Sequence, residues 1–87
     1  MILSHMPTVL RTGPYRLYFY SYDCAEPRHV HVDRENFSAK FWLDPDASLV
    51  TNHGYSRREL RDLERTVREN LELLRTEWDE FCRGYIS

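Results

Sequence analysis

Three side chains near the middle of the sequence carry the parts of an acid–base reaction. His29 and His31 stand two apart in the alternating run His29-Val30-His31-Val32. As a strand, that run projects both imidazoles to one side, roughly 6.5–7 Å apart at the backbone. Lys40 follows, and it is the single lysine beside eleven arginines. With Lys40, the pair resembles the kit for metal-independent RNA cleavage. A neutral imidazole removes the 2′-hydroxyl proton, an imidazolium protonates the leaving oxygen, and the ammonium stabilises the phosphorane. Histidine titrates near 6.5, so both forms exist at neutral pH. The same histidines suit a metal: His29, His31 and His53 make three imidazole ligands, with Asp33 as a fourth. A plainer reading leaves them hydrogen-bonded to sheet or loop neighbours, with the surrounding side chains serving to bind rather than to react.

The elements that must position these groups are legible as α+β. Short extended runs cover Thr8–Arg11, Tyr15–Ser21, His29–Val32 and Ser38–Leu43, separated by the turns at Thr12-Gly13-Pro14, Asp23–Pro27 and Asp33–Asn36. Residues 44–55 read as a loop. Ser56-Arg57-Arg58-Glu59 is a capping box. Beyond it Leu60, Leu63, Val67, Leu71, Leu74, Trp78 and Phe81 form one apolar helical stripe, continuing to about Cys82. The expected architecture is a small antiparallel sheet of three to four strands, packed on one face by a long C-terminal amphipathic helix over residues 56–82. A straight helix of that length spans roughly 39 Å, against strands of roughly 20 Å. It must therefore overhang, bend near Asn70, or pack on a second copy.

Sorting the strands by parity yields two faces. Leu17, Phe19, Val30, Val32, Ala39, Phe41 and Leu43 share the first, the bed for the helix stripe, together with Ser21. The second carries Arg16, Tyr18, Tyr20, His29, His31, Asp33, Lys40 and Trp42. Arg16, Tyr18, Tyr20, Trp42 and His53 are the candidate binding surface, since aromatic surface rimmed by polar groups marks contacts. The tyrosines and Trp42 would also stack nucleic-acid bases.

Length and charge narrow the classes. At 87 residues the chain makes one domain, 7–87, and Met1–Met6 reads as a vector remnant or an extended start, so His5 is set aside. A net charge of −2 excludes a globally basic nucleic-acid binder, and residues 1–55 hold five basic against six acidic side chains. No apolar run suits a membrane span. Two cysteines are too few for a disulfide framework, so a reduced, cytoplasmic chain is expected, with Cys24 in a turn lacking a nearby resolving cysteine. No Gly-rich phosphate loop or Ser–His–acid pattern is present, and no cofactor is expected. The helix is polarised against its own dipole, net +2 over residues 57–68 and −4 over 69–80. Salt bridges along the helix explain part of this; antiparallel pairing with a second copy or a partner protein is the alternative.

Met6-Pro7-Thr8, the Gly13, Tyr15, Arg16 start of an aromatic strand, Glu26-Pro27-x-His29-Val30-His31-Val32, Ala39-Lys40-Phe41-Trp42-Leu43, Asn52-His53-Gly54-Tyr55-Ser56, Glu59-Leu60, Glu69-Asn70 and Trp78 carry a further signal. Together they resemble the small prokaryotic domain-of-unknown-function family 4160. The resemblance implies a stand-alone small protein, often encoded beside another small domain in an arrangement similar to toxin–antitoxin pairs; it implies no chemistry. The leading expectation is a binding or regulatory module whose Tyr/His/Lys/Trp face meets a co-encoded small protein, a second copy of itself, or RNA. The alternatives are a ribonuclease-type toxin using His29, His31 and Lys40, and the histidine metal site.

Overall fold

The computed structural model describes residues 8–86, so the proposed added segment 1–6 lies outside the described residues. Five strands form one sheet: β1 (Thr8–Thr12), β2 (Tyr15–Tyr18), β3 (His29–Arg34), β4 (Phe37–Trp42) and β5 (Ser48–His53). All neighbours are antiparallel and the strand order follows the sequence. Two helices follow, α1 (Arg57–Glu69) and α2 (Leu71–Ile86). The sheet therefore has one strand more than the three to four expected, and the helix is two.

The extra strand is β5, inside the stretch read as loop. Its residues are mostly exposed on both sides, so no alternation of apolar and polar residues announces it. It is an edge strand, held by its ladder to β4. Asn52 then turns the chain: its side chain accepts from the Tyr55 amide and donates to the Tyr55 carbonyl, both at 3.0 Å. The second strand stops at Tyr18, and Ser21–Ala25 forms a short 3-10 helix rather than strand and turn.

The helix breaks where a bend was anticipated. Asn70 leaves helical geometry, and its side-chain amide donates 2.8 Å to the Thr66 carbonyl. That bond competes with the backbone ladder, the usual effect of Asn inside a helix. Splitting the helix lets both pieces follow a short sheet. Ser56 caps α1 as read, its Oγ accepting from the Glu59 amide at 3.2 Å.

The expected core face is the observed one. Leu17, Phe19, Val30, Val32, Ala39, Phe41 and Leu43 are buried against Leu63, Val67, Leu74, Trp78 and Cys82, while Leu60, Leu71 and Phe81 are partly buried. The inverted charge of the helices has partners within the chain. Arg68 bridges to Asp46 at 3.2 Å and to Glu64 at 2.8 Å, Arg75 to Asp44 at 3.1 Å, and Asp79 to Arg28 at 3.0 Å. The loop after β4 thus supplies Asp46 to the basic half and Asp44 to Arg75 of the acidic half, where Arg28 meets Asp79.

The cysteines correct a further expectation. Cys24 and Cys82 form a disulfide across 58 residues, with Cα atoms 5.5 Å apart. Cys82 is buried at the end of the helical stripe read from the sequence, and Cys24 lies in the 3-10 helix packed on α2. The resolving partner missing from the local sequence stands at the far end of the chain. No described helix is long and apolar enough to cross a membrane.

Candidate functional site

The register arranges the second sheet face in rows. Tyr18, His31, Lys40 and Thr51 are cross-strand neighbours in one row. Arg16, Asp33, Ser38 and His53 form the next row toward one end, and His29 pairs with Trp42 toward the other. The predicted residues thus share a face, in three environments.

His29 is not on the surface. Its side chain is 0% exposed, packed among Trp78 (ring centroids 5.0 Å), Trp42 (5.9 Å) and His31 (5.0 Å). It opens β3 at the end of the sheet where the 3-10 helix and α2 meet, and there the face is closed off from solvent. Nδ1 lies 2.9 Å from the Pro27 carbonyl, which only accepts, so Nδ1 carries a proton. Nε2 faces Asp23 Oδ1 at 3.1 Å but has no hydrogen-bond partner among the described residues.

His31 is partly exposed, and its Nε2 lies 2.8 Å from Asp23 Oδ2. Its pKa is lowered: burial disfavours the charged ring, and the Asp23 carboxylate offsets part of that effect. Its ring stacks on Tyr18 (5.2 Å, 23° between planes) and meets Tyr20 edge-on (4.9 Å). Lys40 stands beside it, but its ammonium is held by Glu26 at 2.7 Å and lies 5.0 Å from the Trp42 ring centre. That ion pair lowers the Glu26 pKa.

Tyr18, expected at the surface, is buried and donates 3.0 Å to Asp33, while Tyr20 remains half-buried. Burial, with the neighbouring Tyr20 and Asp33, pushes the Tyr18 hydroxyl above its ordinary pKa. Arg16 bonds Thr8 at 2.7 Å and lies 4.4 Å over the Tyr18 ring. His53 sits exposed on β5, beyond β4 and one row from His31, outside the group of metal-ligating atoms. His29, His31 and His53 are therefore not brought together.

Two residues that sequence reasoning passed over complete the picture. Asp23, read as turn, is buried, and its Oδ2 also accepts from the Tyr20 amide at 2.8 Å. Tyr22 is 71% exposed and stacks flat on Tyr20, with centroids 5.1 Å apart and 9° between planes. Asp23 follows Tyr20 by three, the spacing at which a carboxylate reaches back to accept from the amide that precedes a helical turn; that was the available signal. A cavity of about 290 Å³ lies elsewhere, lined by Thr8, Val9, Phe19, Glu77, Glu80 and Phe81, and none of the candidate groups faces it.

Of the three side chains read as an RNA-cleaving set, His29 has no exposed surface and Lys40 is ion-paired with Glu26. What the face offers instead is a fixed aromatic ladder, Tyr22–Tyr20–His31–Tyr18, flanked by Trp42. A family model described as a domain of unknown function, DUF4160, matches residues 15–79. No curated protein and no solved structure matches.

Proposed function

The chain belongs to the DUF4160 family, and from the geometry of its own side chains we propose that it is a binding module whose aromatic sheet face docks a small partner protein. The observation that carries this reading is the exposed Tyr22 ring stacked on Tyr20, which is itself locked against His31. Pre-stacked aromatics lose little freedom on binding, and Tyr and Trp dominate the energetic centres of protein interfaces. Trp42, with Lys40 against its ring, supplies a second anchor beside the ladder.

A protein is favoured over RNA by the state of the cations. Phosphate recognition needs basic groups free to displace counterions. Here Lys40 is paired with Glu26, and Arg16 is engaged by Thr8 and Tyr18. A co-encoded small protein, as in a toxin–antitoxin-like pair, is the partner this reading expects.

The test uses the untagged protein and the product of the adjacent gene. The two should co-elute, and Tyr22→Ala should weaken the complex at least tenfold while leaving the circular dichroism spectrum unchanged. Two results would overturn the reading. One is cleavage of RNA abolished by His31→Ala, which assigns an enzyme. The other is tight binding of a single-stranded oligonucleotide with a steep salt dependence, which assigns a nucleic-acid face.

A further inference from the structure

Asp23, His29 and His31 bring one carboxylate and two imidazoles together at the closed end of the sheet, all three ligand atoms within 4.8 Å of one another. Two of these residues are buried, and His31 forms the partly open side. The decisive atom is His29 Nε2. Because Nδ1 donates to the Pro27 carbonyl, a neutral ring places its lone pair on Nε2. That lone pair stands 3.1 Å from Asp23 Oδ1, acceptor against acceptor, in a ring with no access to water. A proton bridging the two would require an aligned N–H···O, and the contact lacks that geometry. A metal ion has no such requirement, since neighbouring ligands on one ion meet at roughly 90–110°. With bonds of about 2.1 Å, such ligands lie roughly 3–3.4 Å apart.

We propose that Asp23, His29 and His31 form a binding site for a divalent first-row transition-metal ion. Two imidazoles and one carboxylate on one side of the ion is a set that leaves further positions open. The surrounding contacts are those expected of metal ligands. The second nitrogen of His29 is anchored on a backbone carbonyl, and the carboxylate of Asp23 is oriented by the Tyr20 amide at 2.8 Å. His31 is held in plane by Tyr18 and edge-on by Tyr20. Its Nε2 now donates to Asp23 Oδ2, so ligation moves that proton to Nδ1 and puts the ion in the proton's place. The ion reaches the site past His31 and Tyr20, both partly exposed. This ligand set differs from one built on His53, and it does not depend on the partner-binding role of the aromatic face.

The test is titration of the untagged, chelator-stripped protein with Co²⁺ alone, followed by displacement with Zn²⁺. One ion per chain is expected, with visible Co²⁺ absorption lost on adding Zn²⁺ and a thermal midpoint that rises with Zn²⁺ concentration. His31→Ala and Asp23→Asn should each weaken binding at least tenfold, and His53→Ala should leave it unchanged. His31 lies at the open side of the site, so its variant tests ligation even where His29→Ala fails to fold. Absence of a bound ion overturns the proposal. So does binding that survives both His31→Ala and Asp23→Asn, or that is lost in His53→Ala.

Discussion

Reduction of the Cys24–Cys82 bond should cost this domain a large part of its stability. The bond closes a loop of 58 residues. In the chain-entropy relation, a cross-link over a loop of that length removes about 14 cal/mol/K from the unfolded chain, or about 4 kcal/mol at 25 °C. Domains of this size hold on the order of 5–15 kcal/mol in total. With a urea slope of about 1–2 kcal/mol/M, the unfolding midpoint should fall by about 2–4 M on reduction. Tryptophan fluorescence reports the transition, because Trp78 packs in the core against Phe19 at 5.2 Å. The variant carrying both Cys24→Ala and Cys82→Ala should match the reduced protein. Local opening should come first in the 3-10 helix, so the amides of Asp23 and Glu26, which bond the Tyr20 and Asp23 carbonyls, should exchange sooner than those of β3. Identical midpoints with and without reductant, or two titratable thiols in protein purified without reductant, would refute the reasoning.

Two further perturbations probe the frame around the site. The Arg34 guanidinium, and then the Tyr15 hydroxyl, hold Glu59 below the usual carboxylate range, and Arg28 does the same for Asp44. A depressed folded pKa stabilises above the ordinary value, about 4.3 for glutamate, and that contribution disappears as pH falls through the folded value. The urea midpoint should therefore drop between pH 5 and pH 3, and Glu59→Gln should flatten the drop; an unchanged slope in the variant would show that the pairing is inert. Gly54 has φ +111°, and a Cβ there would lie 2.4 Å from Cδ1 of Phe37. Gly54→Ala should lose on the order of 1–3 kcal/mol from backbone strain alone, and more from the clash. Gly13→Ala, at φ +57° with open space around it, should lose less, and equal thermal midpoints for the two variants would contradict this.

Residues with one dominant neighbour were easiest to place from sequence. Val30, Val32, Phe41 and Leu63 alternate or recur because each must face the same core, so parity and the helical stripe found them. Ser56 needed only the amide three residues on. Asn70 was legible as an interruption, although its bond to the Thr66 carbonyl was not. β5 was invisible for the opposite reason: an edge strand with almost no buried side chain leaves no periodic trace, and only its ladder to β4 defines it. Glu59 was read as half of a capping box, but long-range charge outweighed the local cap. Its carboxylate bonds Arg34 at 2.8 and 3.0 Å instead of returning to the Ser56 amide.

The candidate site divides along the same line. Strand parity placed His29 and His31 on one side, yet it treated the face as uniformly open and so left His29 exposed. Burial of His29 depends on what closes the end of the sheet, and Trp78 of α2, far along the sequence, does so with its ring 5.0 Å from the imidazole. Cys82 falls on the buried stripe of α2, where a thiol faces the core and not water. Its bond to Cys24 ties Ser21–Ala25 to that helix, and Asp23 in the same short helix stands 3.1 Å from His29 at the start of β3. The disulfide, together with the packing of His29 on Trp78, thus holds the segment that turns a pair of strand histidines into a two-imidazole, one-carboxylate cluster in which Asp23 and His29 are buried and His31 is partly open. The neighbouring Tyr22, in the same 3-10 helix, remains outside as the exposed end of the aromatic ladder. The tethered segment carries both Asp23 of the proposed metal site and Tyr22 of the proposed docking surface, so reduction of the bond should disturb the two together.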